Sequence, residues 1–296
     1  MNDSFTHLGT VTAPSGVLVF GISLWVDHWP QVGRPLSERA REAAARGAGG
    51  GHLMEDPAEA VAVAVDRTRA LAVRARTAPS PFDDEPAISV LEVELAIPWP
   101  EGREAPVPLG DLPVDRGGML LGDAVGLDSW IGLDGEPADG LADVTYWGRD
   151  EDEAHERFGG ERIPQFEGDE RGSYGLLDLP LDRARALAAE IENHGAGVVS
   201  SVAPHTDFHR LECAGRTRPL TVGAIEVGGC PVLGFGWCQG DHAVRHHGER
   251  AWGRVYPVTL DRDANGGTVL RWSIPAWDEE DEGDEVGEGD EGGRAA

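Results

Sequence analysis

LGTVTAPSGVLVFGISLWVDHW, residues 8–29, aligns without gaps on LGDLPVDRGGMLLGDAVGLDSW, residues 109–130. Identities fall at Leu8/Leu109, Gly9/Gly110, Gly16/Gly117, Gly21/Gly122, Asp27/Asp128 and Trp29/Trp130. Apolar residues match at Val11/Leu112, Leu18/Met119, Val19/Leu120, Phe20/Leu121, Leu24/Val125 and Val26/Leu127. The kept residues are structural in type, glycines for turns and close approach and apolar pairs for one strand pattern. Each copy reads as a strand, a turn at Pro14-Ser15-Gly16 or Asp115-Arg116-Gly117, and a nearly all-apolar strand buried on both faces. Two such units predict a duplicated β architecture.

Outward from these hairpins, the pattern predicts a helix over residues 37–46 and a longer one over 57–76, with Asp56 as N-cap and Pro57 in the first turn. The glycine run 47–51 between them lacks the lysine and Ser/Thr of a phosphate loop and reads as a linker. A strand is expected over 87–97, and a third helix over 182–194, stopped by Gly195. Beyond it the pattern is strand after strand: 198–202, 207–213, 220–227, 231–237, 255–260 and 269–274. Asn265-Gly266 is the hairpin signal between the last two. The expected class is α+β, β-rich and mainly antiparallel, with about three helices. Residues 1–105 and 106–277 form the two halves, each with one hairpin motif, and 278–296 is an acidic tail of disordered composition.

The chain has 296 residues and a net charge of −28, from 53 acids and 25 bases, all of the bases arginine. The tail holds ten acids and one arginine, so the remainder still carries −19. Such a field repels phosphate backbones and anionic lipid, which excludes sequence-independent nucleic-acid or membrane binding and suits a basic protein partner. Residues 1–14 show no basic or apolar signal region, and the longest apolar run, 17–26, is too short to span a bilayer. Three cysteines fit a reducing, cytoplasmic compartment better than a disulfide framework.

Three passages resemble a bacterial family of uncharacterised proteins: Pro14-Ser15-Gly16 followed by VLVF, Val114-Asp115-Arg116-Gly117 with Asp123, and Gly240-Asp241 with Tyr256-Pro257-Val258 and Asp263-Ala264-Asn265-Gly266. Ile22 and Ser23 stand where that family has Asp-Pro, and fourteen residues separate Asp241 from Tyr256. The resemblance implies fold and bacterial origin, and no activity.

Ligand-capable residues cluster late in the chain. Residues 205–247 contain five of the ten histidines and all three cysteines, Cys213, Cys230 and Cys238. On a strand, His205, Asp207 and His209 of HTDFH would share one face, and two imidazoles with one carboxylate suit zinc or ferrous iron. Asp241, His242 or His246 would supply a further ligand, and Arg254 a carboxylate-binding base. This His-x-Asp with a distant histidine is similar to the iron-binding pattern of 2-oxoglutarate oxygenases. No Gly-x-Ser-x-Gly occurs, which leaves serine-hydrolase chemistry without a motif. The carboxylate run 150–156 lacks calcium-loop spacing and reads as a solvated helix start. Tyr146 and Trp147 read as packing residues. Two functions are therefore expected: an acidic, immunity-like or regulatory module that binds a basic protein, or a metal-dependent enzyme, zinc hydrolase or non-haem iron oxygenase, centred on HTDFH.

Overall fold

The computed structural model describes residues 5–23, 26, 33–46, 49–53, 60–79, 86–113, 118–132, 135–148, 151–163, 173–216, 222–235 and 255–273. The elements run β1 (Thr6–Thr12), β2 (Val17–Ile22), α1 (Leu36–Ala44), β3 (Gly50–His52), β4 (Ala60–Ala64), β5 (Ala70–Pro79), β6 (Pro86–Pro98), β7 (Val107–Pro113) and β8 (Met119–Asp123). A 3-10 turn over Gly126–Ser129 follows. Then come β9 (Leu141–Gly148), α2 (Glu151–Phe158), β10 (Glu161–Ile163), β11 (Ser173–Pro180), α3 (Leu181–His194) and β12 (Gly197–Pro204). The described chain closes with α4 (Asp207–Arg216), β13 (Val222–Val227), β14 (Cys230–Phe235), β15 (Val255–Arg262) and β16 (Gly267–Ser273). Among the described residues strand outweighs helix, 53% to 21%, in mainly antiparallel sheets, as expected.

Two six-stranded sheets face each other. One has the order β1-β5-β6-β16-β15-β7, the other β13-β14-β8-β2-β4-β3, so each takes three strands from before residue 106 and three from after it. The all-apolar strand VLVFGI explains the layering. Its even positions, Leu18, Phe20 and Ile22, enter the core between the sheets. Its odd positions, Val17 and Val19, enter a second core under α1 and α4. Ala40, Ala43, Ala60 and Ala62 line that second core, and their small side chains let α1 lie close to the sheet. Burial of each large core side chain contributes roughly 1.5–3 kcal/mol.

At the centre of this second sheet β2 and β8 pair antiparallel, with Phe20 opposite Leu121 and Leu18 opposite Asp123. The expected hairpins are not formed: β1 and β2, like β7 and β8, lie in different sheets, and the turn at Pro14-Ser15-Gly16 carries the chain from one to the other. Buried Asp123 ties that turn to β8: its carboxylate accepts bonds from the Ser15 N–H (2.9 Å) and hydroxyl (2.6 Å), and from the Val125 and Gly126 amides. The other sheet keeps charge on its outer face. Arg74, Glu92 and Arg271 stand opposite one another on three strands, and the almost wholly buried Glu92 carboxylate accepts from both arginines (2.9 and 2.8 Å). Both sides of that buried charge are thus compensated.

A four-stranded sheet, β10-β11-β9-β12, is added between β8 and α4. Helices α2 and α3 cover one face, around a core of its own that includes Val144, Tyr146, Tyr174, Leu187 and Ile191. Helix α3 ends at Gly195, as its sequence predicts, with φ +80°.

Two further expectations are corrected. Of the helix expected over 57–76, residues 57–59 and the Asp56 cap lie outside the described residues, and the rest is not helical: β4 and β5 occupy 60–64 and 70–79. Val61, Val63 and Val65 alternate into the inter-sheet core, and Asp66 closes the turn by accepting bonds from Thr68 N–H and Oγ1. Residues 207–213 are not a strand but the start of α4, which brings the helices to four among the described residues. No described helix is long and apolar enough to cross a membrane.

Candidate metal centre

Helix α4 begins where the sequence HTDFH meets good capping chemistry. The Thr206 Oγ1 accepts the His209 N–H (3.3 Å), and the Thr206 carbonyl accepts the Arg210 N–H (2.9 Å). Asp207 adds an acid to the first turn, where the helix dipole favours it. Phe208 and Leu211 then face the core under the sandwich. In this setting His205 and His209, four residues apart, lie on one side, with their rings stacked at a centroid distance of 5.5 Å.

Asp207 is consequently not their partner. Its carboxylate, nearly buried, accepts the Ile131 N–H (2.9 Å) and an Arg210 bond (2.8 Å), while its own N–H bonds the Ile131 carbonyl (2.8 Å). The expected face-sharing of His205, Asp207 and His209 fails because the spacing of two that aligns side chains on a strand separates them on a helix.

The carboxylate that does meet the imidazoles is Asp143, 62 residues upstream on β9. Its Oδ1 lies 2.8 Å from His205 Nε2 and its Oδ2 3.2 Å from His209 Nε2. Side-chain exposures of 12–15% leave the three within reach of solvent without being free in it. One ligand atom from each lies within 4.8 Å of the others. Donors about 2.1 Å from one ion stand about 3.0–3.4 Å apart, a range that the two imidazole–carboxylate distances approach, whereas the 4.8 Å bound on the set exceeds it.

Further carboxylates surround the group. Asp139 and Asp178 approach the outer nitrogen of His205, Nδ1, at 3.6 and 3.9 Å. Asp178 sits at a register break in β11, with φ 53°, and that irregular backbone aims its N–H at Asp143 Oδ1 (2.9 Å). A strained residue beside a ligand cluster is a feature of functional sites. Arg210, one residue after His209, turns to Asp207 instead. Burial pushes the Asp143 carboxyl up, but bonds from His205, the Asp178 N–H and His209 outweigh it and hold the group below the ordinary carboxylate range. Among the described residues, Asp143, His205 and His209 are thus a group whose ligand atoms could hold a metal ion.

Comparison with protein-family models, curated proteins and solved structures finds no match. The function must be read from the site.

Of the sequence-predicted ligands, His205 and His209 converge and Asp207 does not; Asp241, His242 and His246 lie outside the described residues, as does Arg254. Asp143, Asp139 and Asp178 were not legible as partners of the histidines. The available signal was Asp143 itself, a charge inside the strand LADVTYWG, whose Ala142, Val144 and Tyr146 alternate into a core. The acidic run 150–156 forms α2 from residue 151 on, and Tyr146 is fully buried, with its hydroxyl donating to the Gly159 carbonyl (2.6 Å). Cys230 is a buried free thiol, pushed up by burial and by Asp123, and contributes nothing to the site.

Proposed function

We propose that this chain is a metal-dependent enzyme holding one divalent transition ion on Asp143, His205 and His209. The observation that carries the reading is the convergence, within 4.8 Å, of two imidazoles and a carboxylate from separate elements. Three protein ligands, rather than the four of closed structural sites, leave positions open for water or substrate among the described residues. Zinc in such a set acidifies a bound water for hydrolysis, and ferrous iron leaves adjacent positions for oxidative chemistry. Around either ion, Asp139 and Asp178 would orient the His205 ring through Nδ1, and the Asp178 N–H would fix the Asp143 carboxylate.

The test is metal content after loading with zinc and, separately, with ferrous iron under anaerobic conditions. The wild type should retain about one equivalent of its preferred ion, and Asp143→Ala/His205→Ala almost none. Zinc retention with ester or amide hydrolysis assigns the hydrolytic branch; iron retention assigns the oxygenase branch. Equal, substoichiometric metal in both proteins removes the proposal.

The scaffold of this site is, in our reading, two copies of one unit. Aligning residue 20 with 121 makes the β2–β8 ladder symmetric, since the pairs 18↔123 and 22↔119 exchange under that match. The strand orders support it as well: β1-β5-β6 mirrors β7-β15-β16, and β3-β4-β2 mirrors β13-β14-β8. Helices α1 and α4 then correspond, and the ligand-bearing sheet is an addition to the second copy.

A second reading is favoured by charge: a net −19 outside the tail suits a docking module for a basic protein. It predicts association that weakens steeply with salt and is indifferent to Asp143→Ala.

A further inference from the structure

Resting on the metal reading above, we infer that the ion is also a clamp that fixes the added four-stranded layer to the sandwich. The layer departs and returns at one place. Ile131 and Asp207 bond each other twice, through the Asp207 N–H to the Ile131 carbonyl and the Ile131 N–H to Asp207 Oδ2. Among the described residues the layer's core shares no residue with either sandwich core. What crosses the gap beside this double bond is the ligand set. Asp143 belongs to β9 of the layer, and His205 to the short connection after β12. His209 belongs to α4, which Leu211 anchors in the sandwich core.

Coordination therefore draws on both bodies at once. In this set, the hydrogen bond that crosses from the layer to α4 without an ion is the one between His209 Nε2 and Asp143 Oδ2, at 3.2 Å. Hydrogen bonds of this kind, partly open to water, are individually weak. With an ion, the joint opens only if a metal bond breaks, so occupancy sets how freely the layer pivots on Ile131–Asp207. An open-site metal whose ligands are shared between two bodies gives the protein a metal-dependent orientation of one relative to the other.

Hydrogen exchange on the full chain, with and without zinc at about 100 times its measured dissociation constant, tests the clamp. A ligand that binds only the closed joint should slow exchange at the Ile131, Asp207 and His209 amides about 100-fold. The amides of Val144 and Ile191 in the layer core, and of Val19 and Val93 in the sandwich, should be unchanged. In His209→Ala, which leaves Asp143 and His205 on the layer side, zinc should give the joint no protection. Zinc that binds stoichiometrically in calorimetry but leaves the joint amides unaffected, or slows every amide alike, overturns the clamp and leaves the site standing. Absence of zinc binding overturns both.

Discussion

Replacing Asp207 with alanine separates the helical reading of HTDFH from the strand reading. In the structure Asp207 is a clasp: Oδ2 accepts the Ile131 amide at 2.9 Å and Oδ1 an Arg210 bond at 2.8 Å, with the side chain 7% exposed. Loss of a charged acceptor on a backbone amide costs about 1.5–3 kcal/mol. The Arg210 pair adds a fraction of a kcal/mol, because that side chain is half exposed. Asp207→Ala should therefore destabilise by about 2–3 kcal/mol, a roughly 30- to 150-fold fall in the folded-to-unfolded ratio. Urea titration followed by tryptophan fluorescence reads the loss as a lowered midpoint at unchanged slope. Zinc affinity, measured by calorimetry below the transition, should stay within about threefold of wild type, since Asp207 touches neither histidine. A variant with an unmoved midpoint and a hundredfold loss of zinc affinity would show that Asp207 is a ligand and that the geometry is wrong.

Asp143→Asn should abolish stoichiometric zinc retention. Because the native carboxyl is held below its ordinary value, its stabilisation is present above about pH 4 and lost as pH falls through the lowered value, so the variant's acid unfolding curve should be flatter. Tyr146 is pushed up to about 12 by burial and by Tyr174. The stability it contributes is complete below about pH 10 and lost as pH rises toward 12, so Tyr146→Phe should remove an alkaline limb worth roughly 2–3 kcal/mol in pH-dependent thermal melts. Gly110→Ala would place a Cβ 1.5 Å from the His52 ring at a backbone φ of 131°. Displaced packing and backbone strain together should cost about 2–5 kcal/mol in chemical denaturation, and a loss below 1 kcal/mol would contradict that contact.

The β-rich architecture was legible because VLVFGI and MLLGD are apolar but for Asp123 and are buried at every position, as in a strand covered on both faces. The helix expected over 57–76 failed for a definable reason. Alanine-rich AVAVA satisfies helix propensity, but its valines alternate, and the Asp66–Thr68 turn breaks the run into two strands. HTDFH failed the other way: the alternating His-x-Asp-x-His outweighed the Thr206 cap and the Phe208/Leu211 spacing, which belong to a helix. The two histidines of HTDFH meet all the same, because the connection after β12 sets His205 beside His209 in the first turn of α4, with Asp143 bonded to both. Asp143 could not be joined to the histidines from sequence, since nothing local records a strand that returns beside β12 after 62 residues.

The meeting of Ile131 with Asp207 makes the ligand-bearing portion a cassette seated in a socket. Its entry and exit are already hydrogen-bonded neighbours, so a turn of two or three residues could replace residues 132–206 without rethreading either six-stranded sheet. The two-sheet frame could thus persist without that portion, keeping His209 on α4 and losing Asp143 and His205.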